Sequence, residues 1–500
     1  MDQFFVGLEQ ILQLQNIVLM IVGLVIGIVI GAIPGLNVPL AVALALPFTF
    51  SLPPLAGLSM LIGIYKGGTY GGSIAAILIN VPGTPAAAAT AIDGNALARQ
   101  GKAGKALKLS IYASVFGELA SDLVLIIAAA QVAKIALSFG PPEFFTLGLF
   151  ALTIIGLVSG TGLTRGLIAG SLGILLSMVG IDPIEGEVRM AFGIYELTGG
   201  LKFIALIIGA FAISEALVQV EKSVLKKSAF NVLEISKNAD DNRVTREDFK
   251  KVLPAMLRGT PLGIFIGAIP GIGSSVAAFL SYGVAKRFSK EPEKFGHGSV
   301  EGVAAAESAN NAVTGSTLIP LLTLGIPGDV ITAIMLGALT VHGLIPGPTL
   351  FTQQGDFITA LFIGMLIVTG LHFVIAMIGL PLFIRAVRVP RGVLFPIVII
   401  LCVTGTLVAT SSIFDVFVML GFGFLGYLMV KFGFPVAPML IGFILGPLIE
   451  VSLRQSMILS DNSIEIFFTR PVSAIFMILM MVVMMSVGWQ RYKELKLNEN

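Results

Sequence analysis

The stretch GLVIGIVIGAIPG at residues 23–35 recurs as GTPLGIFIGAIPG at residues 259–271, and the two copies agree at nine of thirteen positions. Each copy has a glycine at every fourth residue and ends in Pro-Gly. Glycines spaced in this way lie on one face of a helix and let another backbone approach closely. Proline removes a backbone donor and glycine permits torsions outside the helical range, so the helix breaks there. The repeat therefore predicts two closely packed helices that are broken at the same place.

The composition of the chain is that of a membrane protein. Of its 500 residues, 56% are hydrophobic and 12% are charged, whereas ordinary soluble proteins have about 25% charged residues. Apolar runs that approach or exceed the ~20 residues needed to span a bilayer recur along the sequence. We expect an all-α polytopic membrane protein with about 10–14 hydrophobic spans.

The charge of the loops reverses between the two halves. In the first half, residues 48–57 carry no Lys or Arg and residues 99–108 are basic. In the second half, residues 286–294 are basic and residues 344–354 carry no positive charge. Basic loops of membrane proteins face the cytoplasm. The two copies of the motif are therefore predicted to enter the membrane from opposite faces, as in inverted-topology repeats.

The only long polar stretch divides the chain. Residues 221–251 contain eight Lys or Arg and six Asp or Glu, and we expect them to form a cytoplasmic linker. A first transmembrane repeat then occupies residues 1–220 and a second occupies residues 252–456. Residues 457–500 add a further span and a tail, which is predicted to be cytoplasmic because its end is basic.

Four Pro-Gly pairs interrupt apolar segments, two in each half. They are Pro34-Gly35, Pro82-Gly83, Pro270-Gly271 and Pro327-Gly328. Non-helical backbone at membrane depth persists only where protein buries it or where it lines a polar cavity. Broken or re-entrant helices at matching places in two inverted halves indicate the substrate site of a transporter. The helix N-termini at such breaks offer N–H groups and a positive dipole end to an anion.

Polar residues follow these breaks or lie between them, and in a bilayer such residues are functional candidates by default. The candidate substrate-binding residues are Asn37, Lys66, Thr69, Tyr70, Ser73, Thr84, Gly273, Ser274, Ser275, Asn310, Asn311 and Ser316. Lys66 could hold a substrate carboxylate; the alternatives are a lysine that extends to the membrane surface and an ion pair with Glu307. Asn37, Asn310 and Asn311 could supply carbonyl oxygens to Na⁺ or form hydrogen bonds between helices.

Two carboxylates one turn apart, Glu118 and Asp122, could relay protons, or else pack against Lys108 or Lys134.

The sequence gives little support for nucleotide hydrolysis, nucleophilic catalysis or metal chemistry. There is no P-loop, so the chain carries no ATPase of its own. There is also no HExxH, no Gly-x-Ser-x-Gly and no His/Cys cluster with metal-ligand spacing. We expect no enzyme activity and no cofactor other than a coupling cation, Na⁺ or H⁺.

Several longer motifs resemble one family. They are GAIPG, YKGGTYGGS (65–73), VPGTPAAAATAIDG (81–94), ESANNAVTGS (307–316) and LTLGIPGD (322–329). Together they resemble the large membrane subunit of the tripartite tricarboxylate transporters, over nearly the whole chain. The resemblance implies a secondary transporter of the bacterial inner membrane that imports a carboxylate with a cation gradient. It also implies two partners, a small four-helix membrane subunit and a periplasmic solute-binding protein.

Two other functions are compatible with the sequence. One is a stand-alone channel or exporter for organic anions, and the other, with less support, is an intramembrane enzyme. Paired broken helices favour alternating access over a continuous pore. An enzyme would need a nucleophile, a metal site or a concentrated acid–base pair, and none stands out.

Overall fold

A computed structural model of the chain describes residues 2–158, 162–225, 232–236, 238–389 and 391–498. These residues form 22 α-helices and one short antiparallel β-hairpin. The first ten helices are α1 (Asp2–Ile11), α2 (Leu14–Ala32), α3 (Val38–Thr49), α4 (Pro54–Ile79), α5 (Ala87–Leu97), α6 (Ala103–Ala136), α7 (Pro141–Val158), α8 (Leu163–Ser177), α9 (Phe203–Ile207) and α10 (Ser214–Leu225). The strands β1 (Gly180–Ile181) and β2 (Val188–Arg189) lie between α8 and α9.

The remaining helices follow in a similar order. They are α11 (Arg246–Ala268), α12 (Gly273–Phe288), α13 (Val300–Ser316), α14 (Leu318–Leu324), α15 (Val330–Val341), α16 (Pro348–Gln353), α17 (Gly355–Ala386), α18 (Arg391–Thr410), α19 (Ile413–Lys431), α20 (Val436–Leu459), α21 (Ile466–Thr469) and α22 (Pro471–Asn498). Two π-helical segments, Ala98–Lys102 and Ile208–Ile213, lie before α6 and α10. Short 3₁₀ turns cover Tyr195–Gly199, Asp240–Asn242 and Pro292–Lys294.

The predicted fold class, an all-α polytopic membrane protein, is confirmed. Within the described residues, seven helices are long and apolar enough to cross a membrane, and five shorter apolar helices accompany them. Two of the shorter helices, α3 and α15, begin directly after a break. Several of the predicted 10–14 spans are therefore too short to cross the membrane completely, because helix breaks divide them.

Each copy of the repeated motif ends a helix where the sequence predicts it. The helix α2 ends at Ala32 and α11 ends at Ala268. The next residue is extended in both copies, with φ −82° and ψ 120° at Ile33 and φ −91° and ψ 120° at Ile269. Gly35 and Gly271 then have φ +92° and +85°, which side chains disfavour. The two breaks thus share their backbone geometry.

The glycine ladders bring pairs of helices into backbone contact. A Cβ on any of these glycines would overlap the facing helix, so only glycine permits the approach. In the first half, Gly23, Gly27 and Gly31 face Met60, Ile64 and Gly68 of α4, while Gly63, Gly67 and Gly71 face the α2 backbone. In the second half, Gly259, Gly263 and Gly267 lie against Ala305, Ala309 and Val313 of α13, although the nearest atom to Gly259 is the Ser281 Oγ of α12. Because the partner numbers rise together, each pair of helices is parallel.

The helices α4 and α13 lie at the centre of the protein. In α4 every residue from 56 to 78 is buried, and in α13 every residue from 302 to 316 is buried. Besides its ladder partner, each contacts a long helix of the other half, since α17 packs on α4 and α6 packs on α13. A helix buried all round is normally apolar. The polar side chains of α4 and α13 must therefore find partners inside the protein.

The predicted linker overlaps the ends of two helices. The helix α10 continues to Leu225 and α11 begins at Arg246, whereas residues 226–231 and 237 lie outside the described residues. Leu233 of this segment donates its N–H to the Leu78 carbonyl near the end of α4, at 3.1 Å. The division of the chain into two repeats stays a prediction.

Replacing Gly31 or Gly267 with leucine should destabilise the protein by about 1–3 kcal/mol or more, because the added side chain forces two packed backbones apart. A matched control is Gly421→Leu in α19, where a Cβ meets no other atom within 4 Å. Thermal unfolding in detergent, followed by the loss of the monodisperse peak in size-exclusion chromatography, compares the three variants. Equal stability of the ladder variants and the control would contradict the packing account.

Candidate functional site

The four helix breaks surround one cavity of about 180 Å³. It lies where α3, α12 and α15 begin, beside the segment that leads into α5. The lining residues come from both halves of the chain. They are Asn37, Val38, Pro39, Tyr65, Thr69, Thr84, Pro85, Gly273, Ser274, Ser275, Asn310, Asp329, Val330 and Ile331.

Side chains of the breaks fix the starts of the helices around the cavity. Asn37 caps α3, because its Oδ1 accepts a hydrogen bond from the Leu40 N–H at 2.9 Å. Asp329 caps α15 in a reciprocal pair with Thr332, in which both backbone N–H groups donate to side-chain oxygens at 2.8 Å. Thr84 accepts from the Ala87 N–H at 3.2 Å. The caps hold these helix starts at the cavity, where their dipoles favour negative charge.

Backbone contacts hold the breaks in place, through the other break in the second half and through α2 and α4 in the first. In the second half, the Gly271 N–H donates to the Gly328 carbonyl at 2.7 Å. In the first half, the Gly83 N–H donates to the Gly72 carbonyl at 3.1 Å, and Gly83 lies against Gly31. The helices α4 and α14 end before their Pro-Gly pairs, on the left-handed residues Asn80 and Gly325. The non-helical backbone is therefore held by the neighbouring break in the second half and by the neighbouring helices in the first.

Tyr65 links the two halves across the cavity. Its hydroxyl donates to Asp329 Oδ2 at 2.6 Å and lies 3.4 Å from Thr317 Oγ1. Thr69, one turn further along α4, also lines the cavity. Tyr65 was not among the predicted binding residues, although its spacing of four residues from Thr69 places both on one helix face.

Asn310 carries unused hydrogen-bonding capacity at the cavity wall. Its side chain is fully buried, and neither Nδ2 nor Oδ1 has a partner among the described residues. A buried polar atom without a partner is costly and is rare in native proteins. The Nδ2 group of Asn310 is thus available to donate a hydrogen bond to a small polar molecule, and its Oδ1 to accept one.

The cavity wall has few charged side chains. The described lining residues include one carboxylate, Asp329, and no Lys or Arg. Positive potential is supplied by the helix N-termini, and Ser274 and Ser275 add hydroxyl groups in the first turn of α12. This arrangement suits an anion that is recognised by hydrogen bonds.

Seven of the twelve predicted binding residues line the cavity. They are Asn37, Thr69, Thr84, Gly273, Ser274, Ser275 and Asn310. The other five, Lys66, Tyr70, Ser73, Asn311 and Ser316, do not line the cavity and are buried. Lys66, Tyr70 and Asn311 each directly follow a lining residue within a long helix, and a step of 100° turns their side chains away from it. Whether the seven residues bind a substrate stays a prediction.

Lys66 lies in a buried ion pair outside the cavity. Its Nζ is 2.5 Å from Asp122 Oδ2 and donates to Thr369 Oγ1 at 2.7 Å and the Met365 carbonyl at 3.3 Å. The side chain is 1% exposed, so it does not extend to the membrane surface. The predicted pair with Glu307 is also wrong, and so is the predicted packing of Asp122 on Lys108 or Lys134.

Glu118, Tyr70 and Ser316 also contact residues outside the cavity, and the Tyr70 hydroxyl has no hydrogen-bond partner among the described residues. Glu118 lies 3.1 Å from His372 Nδ1, and the ring of Tyr70 packs edge-on against His372. Ser316 donates to the Ala312 carbonyl at 3.1 Å and lies against Gly267. The contacts of His372 join helices of the two halves, whereas those of Ser316 lie within the second half.

The three asparagines predicted as Na⁺ ligands lie at two separate places. Asn37 and Asn310 line the cavity, and the Asn37 Oδ1 is engaged in the α3 cap. Asn311 faces α6, where its Nδ2 donates to Ser114 Oγ at 2.9 Å. The three amides therefore do not form one cation site.

The family model described as the tripartite tricarboxylate transporter TctA family matches residues 17–441. The chain belongs to this family. The match includes all four breaks and every residue that lines the cavity. TctA proteins are transporters, and the apolar helices make this member a multi-pass membrane protein.

Two similar proteins come from Agrobacterium vitis, and neither is characterised. "Uncharacterized 52.8 kDa protein in TAR-I ttuC' 3'region" is 38% identical over 477 residues, which cover 94% of this chain and 92% of the relative. "Uncharacterized protein in TAR-II ttuC' 3'region" is 39% identical over 212 residues, which cover 42% of this chain and 88% of the relative. No solved structure matches the chain significantly.

Asp122→Asn should destabilise this TctA protein by about 3–5 kcal/mol, because it leaves the buried Lys66 ammonium without its counter-charge. The double variant Lys66→Met/Asp122→Asn should be more stable than Asp122→Asn alone, since it removes both charges. Thermal unfolding of the wild type, both single variants and the double variant gives the coupling energy. Additive effects would show that the pair contributes no specific interaction.

Proposed function

We propose that this TctA protein is the large membrane subunit of a binding-protein-dependent secondary transporter that imports a carboxylate solute by cation coupling. The cavity among the four helix breaks carries the proposal. Its helix N-termini, serine hydroxyls and unpaired Asn310 amide are the groups that bind a carboxylate in the broken-helix sites of transporters. The volume of about 180 Å³ equals that of about six water molecules, which suits a small organic anion.

The chemistry of binding follows from the lining residues. A carboxylate accepts hydrogen bonds from Asn310 Nδ2, from the serine hydroxyls and from N–H groups at the start of α12. Asn310 Oδ1 accepts a hydroxyl or a protonated carboxyl of the same solute. Asp329 repels a second negative charge close to α15 and thereby sets the orientation of the solute. The Tyr65–Asp329 hydrogen bond crosses between the halves, and its release is part of the proposed change between outward and inward access.

Contacts at the ends of the helices support an inverted arrangement of the halves. From the cavity, α3 and α15 lead to one end of the protein, where Phe50 packs on His342 with ring centroids 6.3 Å apart. The segments α5 and α12 lead to another end, where Gln100 Nε2 donates to the His297 carbonyl at 2.8 Å. Each half thus sends one helix from the cavity to each end, as inverted repeats do.

Charge supports the orientation. The end near Gln100 carries Lys102, Lys105, Lys251 and Lys294, and the positive-inside rule assigns such an end to the cytoplasm. We propose that this end and the C-terminus face the cytoplasm of a bacterial cell and that the protein lies in the inner membrane. Its proposed partners are those of tripartite systems, a small four-helix membrane subunit and a periplasmic solute-binding protein.

Single cysteines test the orientation. In a Cys402→Ala background, Ser51→Cys after α3 should react with a membrane-impermeant maleimide from the periplasmic side, and Ser289→Cys after α12 from the cytoplasmic side. Cys402 is fully buried, so its removal leaves both surfaces unchanged. Labelling of both positions from the same side of the membrane would contradict the inverted arrangement of the two halves.

Asn310→Ala should raise the KM for uptake about tenfold, because one substrate partner is lost at a buried site. The assay is uptake of labelled di- and tricarboxylates into vesicles that contain the complete tripartite system. Asn95→Ala is the control, since Asn95 is a buried amide that donates to the Ile77 carbonyl outside the cavity. A KM for Asn310→Ala equal to that of the control would place the substrate site elsewhere.

The same vesicles test the energy source. Uptake should stop when an ionophore collapses the cation gradients and should continue without ATP. Uptake that needs ATP while the gradients are held at zero would contradict secondary transport.

A further inference from the structure

A second polar site lies beside the cavity, around Glu307 of α13. Hydroxyl groups of three other helices surround its carboxylate. Glu307 Oε1 accepts from Ser73 Oγ at 2.5 Å and from Thr90 Oγ1, and Oε2 accepts from Ser114 Oγ at 3.0 Å and Ser110 Oγ at 3.2 Å. These five residues and Asn311, whose Nδ2 lies 3.4 Å from Oε2, form what we call the Glu307 pocket. All six side chains are fully buried.

The charge of the Glu307 pocket is unbalanced. Two nearby carboxylates have basic partners, since Asp122 pairs with Lys66 and Glu118 with His372. The contacts of Glu307 with the described residues include no Lys, Arg or His. An uncompensated charge inside a membrane protein is costly. Even with His372 protonated, these three carboxylates face only two cations, so one positive charge is missing.

An unpaired oxygen marks the place where that charge would bind. Asn311 uses its Nδ2 in hydrogen bonds to Ser114, the Glu307 carbonyl and Glu307 Oε2. Its Oδ1 is buried and has no partner among the described residues. The pocket therefore combines a carboxylate, four hydroxyls and a free amide oxygen. Hard cations take oxygen ligands of this kind, and each hydroxyl can rotate to turn a lone pair inward.

We propose that the Glu307 pocket binds one Na⁺, as the coupling ion of the proposed transport function. A monovalent ion neutralises the single carboxylate, whereas a divalent ion would leave an excess positive charge. A proton needs only one acceptor, and the pocket provides oxygens from six side chains. The ligands come from α4, α5 and α6 as well as from α13.

The position of the pocket explains how the ion acts on the substrate cavity. Asn311 of the pocket and Asn310 of the cavity are neighbours on α13. Ser73 lies one turn beyond Thr69 on α4, and Thr90 lies in α5, the helix that starts beside Thr84. The ion thus fixes α4 and α13, which carry cavity residues, and α5, which begins shortly after the cavity residues Thr84 and Pro85. Binding of Na⁺ raises the affinity for the carboxylate, and by linkage the carboxylate raises the affinity for Na⁺ by the same factor.

Direct binding of ²²Na⁺ to the purified protein tests the proposal without transport. In choline chloride at fixed pH, the wild type should bind ²²Na⁺ saturably. Glu307→Gln should weaken the affinity by about tenfold or more, because the charged ligand is lost. Ser110→Ala/Ser114→Ala should weaken it to a smaller extent. Ser121→Ala is the matched control, since this buried serine of α6 makes no contact with Glu307, and its affinity should equal that of the wild type.

Several results would overturn the sodium site. They are absence of saturable ²²Na⁺ binding to the wild type, wild-type affinity in a monodisperse Glu307→Gln protein, and an equal loss in Ser121→Ala. If Glu307→Gln does not fold, the double serine variant decides, and wild-type affinity there overturns the proposal. Carboxylate uptake without ²²Na⁺ binding would refute the sodium site and leave the transport function standing. If ²²Na⁺ binding depends on Glu307 but uptake is independent of cation gradients, the sodium site is supported and cation-coupled transport is refuted.

Discussion

A break in a membrane helix leaves backbone N–H and C=O groups without helical partners, in a medium that has no water to replace them. The fold of this TctA protein is organised around four such breaks. Their backbone groups are held by one another, as in the Gly271–Gly328 hydrogen bond, and by capping side chains such as Asn37 and Asp329. Non-helical backbone at membrane depth is stable only where protein surrounds it. The four breaks accordingly lie together at the centre of the protein. The same arrangement directs helix N-termini into a common cavity.

Close helix packing makes this centre polar as well as buried. The glycine ladders let α2 lie against α4 and α11 against α13 with backbones in contact, so both central helices are enclosed on all sides. Their polar residues then separate by helix face. One face of α4 presents Tyr65 and Thr69 to the cavity, while another presents Lys66 to Asp122 of α6. The cavity and the buried charged residues thus lie on different faces of the same helices. An ion bound among the charged residues can therefore influence a solute in the cavity.

The repeated motif and the Pro-Gly pairs, with the polar residues near them, were sufficient to predict the helix breaks and half of the cavity residues, because both depend on local backbone chemistry. The partners of Lys66 and Glu307 could not be predicted, since they depend on which helices of the two halves become neighbours. Lys66 and Asp122 are 56 residues apart in sequence, and the partner predicted for Lys66 was Glu307. Helical periodicity within residues 65–73 would have separated Tyr65 and Thr69 from Lys66 and Tyr70, but not from Ser73, which lies on the same stripe one turn further along. The orientation of the halves rests on loop charge and end contacts and stays a prediction.

The central claim is that the cavity among the four breaks is the substrate site. An experimental structure of the protein with its transported carboxylate bound tests this most directly. The account predicts ligand density between Asn310 and the first turn of α12, with the carboxylate within hydrogen-bond distance of Asn310 Nδ2. Density for the carboxylate at another place, with this cavity empty under saturating conditions, would contradict the account.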